Sequence, residues 1–486
     1  MSSDRGLTFY WHDYETSGAD PARDRPVQFA GVRTDTEFNV IGEPLVVYCR
    51  PTDDVLPQPG ACLVTGITPQ LALEKGLPES QFIGRIHAEL AHPGTCAVGY
   101  NSLRFDDEVT RHTLYRNFFD PYAREWQNGN SRWDIIDMLR TAFALRPEGI
   151  EWPLREDGFA SFRLEDLTAA NGIAHAGAHD ALADVQATIA LARLLRERQP
   201  KLYDFVLGNR DKRSVLAQFD IEDMKPVLHV SGMFGAERHN IGLVAPLALH
   251  PVNRNEIICY DLDASPEPLQ ALPGADLREL LYTRTEDLPP GTARPGLKSV
   301  HINRCPIVLP ARMASPEIAQ RLGIDGERCR GHLAMLREYR NADKQGFNAK
   351  LAEIYQRPRP DKAVDPDIAL YSGGFFSDQD RRSMDAIRAA TPEELATQSW
   401  VFEDQRLPEM LFRYRARNYP DTLSPQERSQ WEEFRYQRLT DPVAGASICL
   451  EAFHGQIETL LADPDLSEAK RRVLEDLLLY ADTLLA

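Results

Sequence analysis

The sequence predicts an α/β domain, then a small β-rich domain, then an all-α C-terminal domain. Three observations lead there. The chain has 486 residues, more than one hydrophobic core organises, so two or three domains are expected. Its first ~200 residues alternate short apolar runs, bounded by Gly, Pro or Asp, with longer segments of helical period. Beyond Ser377, Leu and Ala recur three and four residues apart through Leu474, Leu477, Leu478 and Leu485.

Taken in order, the strand candidates of the first domain (1–200) are Leu7–Tyr14, Val27–Thr34, Pro44–Cys49 and Thr95–Tyr100. Each is short and rich in apolar and aromatic residues. The helix candidates are Glu79–Ala91, Asp107–Asn117, Ile135–Leu145, Leu164–Asn171 and Asp180–Glu197, the last with Asp180 as its N-cap. Pro200 marks a break. Residues 201–355 then carry the strand-like runs Val227–Val230, Ile241–Leu249, Glu256–Asp261 and Lys298–Asn303, separated by Gly, Pro and Asn. Gln356–Lys362 holds two prolines and reads as a linker into the helical domain, 356–486.

Composition excludes several classes. Hydrophobic residues make up 43% and charged residues 26%, as in ordinary globular chains. Met1–Gly6 has no apolar run after its charges, so no secretory signal is expected. Ile241–Leu249 is too short to span a bilayer, and Pro246 interrupts it, so no membrane partner is expected. The cysteines (Cys49, Cys62, Cys96, Cys259, Cys305, Cys329 and Cys449) are scattered, without Cys-x-x-Cys spacing. They read as reduced thiols of a cytoplasmic protein rather than a zinc ribbon or redox pair.

The net charge of −18 argues at first against a nucleic-acid partner. Binding, however, follows local patches rather than the total. Between Asp287 and Glu317 there is no acidic residue, while Arg294, Lys298, Arg304 and Arg312 lie inside that window. Arg413-Tyr414-Arg415-Ala416-Arg417-Asn418-Tyr419 interleaves basic and aromatic side chains. Taken alone, both read first as solvated surface.

The acidic residues are more informative. Asp13 and Glu15 close the first strand; residues two apart share a face, about 7 Å apart along the backbone. Two carboxylates so placed repel unless a cation sits between them, and hard divalent cations prefer such oxygen ligands. By itself Asp-x-Glu more often marks a surface pair at a strand end. Asp106 and Asp107 follow the strand near Tyr100; one of them is expected simply to cap the next helix, and spacing does not choose between them. His179 and Asp184 stand five apart at the start of a long helix, with alanines around them that leave room for a ligand. A lone His before a helix is more often a local hydrogen-bonding residue than a base. All three features in this order within one α/β domain are rare by chance.

This ordered set resembles the DEDDh exonucleases. The segments His12–Thr16, Arg104–Arg111, Ala144–Ile150, Ser161–Glu165, Val230–Ala236, Val300–Asn303, Gly374–Asp378 and Tyr414–Asn418 look, within that group, like the bacterial exonuclease I family, and they span nearly the whole chain. The resemblance implies a ribonuclease H-like nuclease domain, a central SH3-like β domain and a helical C-terminal domain. It implies 3′→5′ degradation of single-stranded DNA to 5′-mononucleotides. It makes Asp13, Glu15, Asp106 and Asp184 the acids holding two Mg²⁺ ions, with Mn²⁺ a substitute, and His179 the general base. Asp106 is chosen over Asp107 because the family's aspartate follows the Phe directly.

Such a site has a clear rationale. Four carboxylates and two divalent ions are near neutral together, and without metal the crowded acids should have raised pKa values. Paired ions activate water and stabilise the leaving oxygen. A histidine suits proton transfer near neutral pH. By the same resemblance, Glu15 and Arg163 meet substrate, and Arg111, Tyr122, Trp126 and Arg140 are further DNA contacts. Tyr122 and Trp126, four apart, would share one helical face as a stacking platform, or else be core. Arg146 and Lys225 are candidates for binding the acidic C-terminal tail of single-stranded DNA-binding protein. The chain is expected to act as a monomer. Two alternatives stand beside this reading: an exoribonuclease of the same group, and a catalytically silent binding module. The catalytic motif alone does not separate DNA from RNA, because the 2′-OH is read elsewhere.

Overall fold

In the computed structural model, residues 6–175, 177, 180–289, 291–292, 294–356 and 364–485 are described. Their strands are β1 (Thr8–Thr16), β2 (Pro26–Thr34), β3 (Leu45–Tyr48), β4 (Thr95–Gly99), β5 (Ser131–Asp134), β6 (Val227–Val230), β7 (Ile241–Leu249), β8 (Glu256–Asp261), β9 (Leu297–His301) and β10 (Ile307–Pro310). The chain divides into two compact units. The described residues of 1–131, 174–189 and 362–486 form one, and those of 132–173 and 190–361 form the other.

In the first unit the strands run in the order β3-β2-β1-β4. β1 is antiparallel to β2 and parallel to β4. Its sequence, TFYWHDYET, is buried along most of its length, as expected of an inner strand covered on both faces. The Trp11 indole N–H donates to Thr34 Oγ1 at 2.9 Å, so its one polar atom is satisfied inside the sheet. Helix Glu79–Leu90 buries Phe82, Ile83, Ile86 and Leu90, three and four apart. These pack in one cluster with Tyr10, Tyr14 and Phe29 of β1 and β2. At the end of β4, a Cβ on Gly99 would lie 2.5 Å from the Ser102 Cβ, so only glycine lets the chain turn there toward Asp106. The long helix Ala181–Arg198 starts where expected: Asp180 Oδ1 accepts the N–H groups of Leu182 and Ala183, at 3.2 and 3.3 Å.

The second unit holds an antiparallel five-stranded sheet in the order β10-β6-β7-β8-β9. Helices Gly326–Ala342 and Lys344–Tyr355 also lie in this region, and their Leu336, Leu351 and Ile354 share a core with Ile258 and Tyr260 of β8. Strands β5 and β10 were not expected. Each is four residues long, too short for alternation to stand out. Helices Pro59–Thr65 and Pro69–Lys75 were also not expected; each opens with proline in its first turn, where that residue is well tolerated.

The C-terminal helices belong to the first unit, and a buried ion network binds them to it. Arg417 pairs with Asp54 at 2.8 Å and with Asp367 at 2.6 Å; Arg413 pairs with Asp367 at 3.1 Å and Arg438 with Asp365 at 3.0 Å. Asp54 is fully buried. This corrects the reading of the Arg413–Tyr419 run as solvated surface. Arg413, Tyr414, Arg415 and Ala416 are buried on helix Leu407–Asn418, and Arg415 pairs with Glu427 at 2.6 Å. The surrounding arginines hold the Asp54 carboxyl well below the usual range despite its burial.

Replacing one partner of such a network strands the other charges. Asp54→Ala should therefore lower the unfolding free energy by about 3–5 kcal/mol, while the partly exposed neighbour Asp53→Ala should lower it by at most about 1 kcal/mol. Urea unfolding of the two variants checks this; equal losses would contradict it.

Candidate active site

The C-terminal end of β1 is where acidic side chains converge. Asp13 faces Ala30 and Glu15 faces Gln28 across the β1–β2 register, with an irregularity between Glu15 and Thr16. Asp184 enters from the first turn of helix Ala181–Arg198. One carboxylate oxygen from each of Asp13, Glu15 and Asp184 lies within 4.8 Å of the others. Asp106 joins from the start of helix Asp106–Arg116, where its Oδ1 accepts the Tyr14 N–H at 3.1 Å.

The expectation that one of the Asp106–Asp107 pair merely caps this helix is not met. Phe105 is at the N-cap position, without a side-chain cap bond. Both aspartates are buried, and Asp107 is held by Arg124 at 2.7 Å. With Asp107 bound there, Asp106 is the one beside β1.

Electrostatics follow from the crowding. Burial, then Asp106, Glu15 and Asp184, push the Asp13 carboxyl well above its usual range. Burial, then Asp184, Asp106 and Asp180, push Glu15 up to about 8. Both shifts have the causes expected of like charges held together in a low dielectric. Hard oxygen donors within 4.8 Å of one another, with acids that resist ionising, fit one or more divalent cations.

Two side chains with no signal in the sequence hold the cluster. His175 Nε2 donates to Asp184 Oδ1 at 2.5 Å. Gln28 lies opposite Glu15 and bridges to the long helix: its Nε2 donates to Asp180 Oδ2 at 3.4 Å, and its Oε1 accepts the Ala181 N–H at 3.3 Å. His179, named as the base, lies outside the described residues.

The other candidates have varied placements. Arg111 is buried and paired, with Glu108 and Glu125 each at 2.7 Å, and it also donates to the Tyr371 hydroxyl at 3.1 Å. Its guanidinium lies over the Tyr122 ring, 5.5 Å from the centroid. Tyr122 and Trp126 do not share a helical face. They flank the 3₁₀ turn Ala123–Glu125, and Trp126 has a non-helical backbone. The core reading of Trp126 also fails, since it is 66% exposed. Arg140, Arg146, Arg163 and Lys225 all belong to the second unit. Arg140 pairs with Asp137 at 2.6 Å and lies over the Phe162 ring. Arg146 ends helix Ile135–Leu145. Arg163 is exposed at the N-cap of helix Leu164–Ala170, and Lys225 is exposed just before β6.

Residues 10–192 match the family model described as "Exonuclease", residues 210–357 the exonuclease I SH3-like domain, and residues 364–484 the exonuclease I C-terminal domain. Exodeoxyribonuclease I of Escherichia coli K12 is 48% identical over 475 residues, 98% of either chain. The moderately thermophilic exonuclease I from Methylocaldum szegediense is 53% identical, with a TM-score of 0.93 over 99% of this chain and all of that one. E. coli exonuclease I has been solved with a dA16 oligonucleotide, in a zinc-bound complex with single-stranded DNA, and in a complex with SSB-Ct. These are each 48% identical, with TM-scores of 0.91, 0.92 and 0.91, over 98–99% of this chain and 99–100% of theirs. With domain models in tandem along the sequence and a relative matched over nearly its full length, the chain belongs to the exonuclease I family.

Proposed function

We infer that this exonuclease I family member is a 3′→5′ exodeoxyribonuclease that degrades single-stranded DNA, hydrolysing it at the carboxylate cluster on β1. The observation that carries the chemistry is the approach of Asp13, Glu15 and Asp184 to within 4.8 Å. A surface pair at a strand end has no reason to recruit a third acid from a distant helix and to keep a fourth, Asp106, beside it.

Asp13, Glu15, Asp106 and Asp184 would hold Mg²⁺, as two ions, with Mn²⁺ as a substitute. When bound, such ions lower the pKa of a water and stabilise the leaving 3′-oxygen of a phosphodiester. The chain's own residues supply the rest. Glu15 and Asp13, raised by burial and the neighbouring acids, would give up their protons in holding the ions. His175 fixes the Asp184 carboxylate, and Gln28 fixes the helix that carries it. His179, five residues before Asp184, would take the proton of the attacking water. Arg163 would bind a phosphate through its planar guanidinium. Trp126, exposed on its turn, would stack on a base, and Tyr122, Arg111 and Arg140 would line the path of the strand. The ion pairs of Arg111 and Arg140 favour a role in holding that path in shape rather than direct charge contact.

The division of labour follows the three parts: 1–200 for cleavage, 201–355 and 356–486 for retaining the strand. Single-stranded DNA and the acidic tail of single-stranded DNA-binding protein are the partners; Arg146 and Lys225 would bind that tail. No helix of the described residues is long and apolar enough to cross a membrane. None of the seven cysteines forms a disulfide, which favours the reducing cytoplasm. The enzyme would work as a monomer.

Digestion of a 5′-end-labelled single strand with Mg²⁺ should give a ladder shortening from the 3′ end. A blunt duplex and an RNA of the same sequence should remain long, and a chelator should stop the reaction. Equal cleavage of RNA would favour an exoribonuclease. Equal nucleotide release with chelator would remove the metal mechanism.

Asp184→Asn should reduce nucleotide release by at least about 10³-fold while retaining DNA binding by fluorescence anisotropy; ordinary turnover would take Asp184 out of the site. His175→Ala should raise the Mg²⁺ concentration for half-maximal rate by about 10–100-fold. His175→Gln, which keeps an N–H donor, should recover much of it. An unchanged metal dependence would make the His175–Asp184 bond incidental.

A further inference from the structure

The exposed Trp126 sits one residue beyond the 3₁₀ turn Ala123–Glu125. That turn is fastened to helix Asp106–Arg116 twice, with opposite polarity. From the turn, Arg124 Nη2 donates to Asp107 Oδ1 at 2.7 Å, and the two side chains are 0% and 2% exposed. From the helix, Arg111 grips Glu125 with both arms of its fork, Nε to Oε1 at 2.7 Å and Nη2 to Oε2 at 2.9 Å. A basic group on each element thus meets an acidic group on the other, which fixes the turn along the helix as well as around it.

The same helix opens with Asp106, whose Oδ1 accepts the Tyr14 N–H at 3.1 Å. One helical turn on, the Thr110 hydroxyl is hydrogen-bonded to the Tyr14 hydroxyl at 3.1 Å. The turn is also tied to β4: Asn130 Nδ2 donates to the Arg124 carbonyl at 3.3 Å, and Asn130 Oδ1 accepts the Thr95 N–H at 3.0 Å. A buried ion pair adds little stability over well-packed apolar residues of similar volume. What it supplies is direction, above all through the planar guanidinium.

We propose that Arg124 is a positioning residue: its ion pair with Asp107 holds Trp126 at a set distance from the carboxylates, so that a base stacked on Trp126 keeps the strand in register for cleavage. The proposal rests on the nuclease reading of the carboxylates and on the stacking role of Trp126. Asp106 and Asp107 are consecutive on one helix. A shift of the turn against Asp107 is therefore a shift of the stacked base against the metal acids. Displacements of about 1 Å cost about 10²-fold in rate where geometry governs it. Two opposed ion pairs next to an exposed tryptophan suit that demand better than they suit stability alone.

The test is a mutant cycle on kcat/KM for a single strand at saturating Mg²⁺. Trp126→Ala should lower kcat/KM about tenfold, the scale of one stacked base. Asp107→Leu/Arg124→Met removes both charges and keeps apolar bulk, so its urea midpoint should stay near that of the wild type. Its kcat/KM should nevertheless fall by about the same tenfold. Combining all three substitutions should cost little more than either set alone, because a misplaced tryptophan has no stack left to lose. Independent roles would multiply to about a hundredfold. Arg124→Lys keeps the charge and loses the fork; its penalty should be smaller and should also vanish in the Trp126→Ala background. If the charge-free variant unfolds, Arg124→Lys takes its place in the cycle. Wild-type kcat/KM in that variant, or penalties that multiply, would overturn the proposal and leave the nuclease reading intact. Wild-type kcat/KM in Trp126→Ala would remove the stacking role and the proposal together. No cleavage by the wild-type enzyme would overturn the nuclease reading as well.

Discussion

The repulsion among acids gathered at the end of β1 is the constraint on which the rest depends. Asp13 and Glu15 are forced onto one face by the strand's two-residue period, and Asp184 and Asp106 are delivered to them by two different helices. Burial makes the charges of Asp13 and Glu15 more costly, and the neighbouring acids compound it. A fold keeps such an arrangement only if other interactions over-determine it and a cation relieves it. The acids are then not an incidental cluster but stored affinity for divalent metal.

Much of the surrounding structure serves to hold that cluster. β1 is an inner strand with its aromatic residues buried, so its end does not drift. Gln28 ties β2 to the helix bearing Asp184, and His175 takes one of its oxygens. Arg124 takes Asp107 away from the site and leaves Asp106 beside β1. Farther out, the Arg413–Arg417–Asp54–Asp367 network joins the C-terminal helices to the same unit. That union brings a segment from beyond residue 440 to the cavity beside Glu15.

The parts of this visible in the sequence were those that a short-range pattern encodes. The i, i+2 acids on a strand, the Asp180 cap and the helical period of Ile135–Leu145 depend only on near neighbours, and the backbone follows them. Choosing Asp106 over Asp107 required a family resemblance, because the deciding contact is with Arg124, 17 residues away. The Arg413–Tyr419 run misled because charge suggests solvent, whereas the partners that allow its burial, Asp54 and Asp367, are remote in sequence. Tyr122 and Trp126 misled for a local reason: Asn128 and Gly129 both take positive φ, and the segment breaks into 3₁₀ turns instead of one helix. Gln28 and His175 carry no motif; only the folded register gives them roles.

The most direct measurement of the central claim is the number of protons released when metal enters the site. Calorimetric titration of Mn²⁺ into metal-free protein at pH 7, repeated in buffers of different ionisation enthalpy, gives that number. With Glu15 raised to about 8 and Asp13 well above its usual range, the metal-free site should be partly protonated at this pH. Binding should therefore release about one proton or more per molecule. Tight binding with no proton release would mean that the acids are already ionised and uncrowded, and would contradict the account.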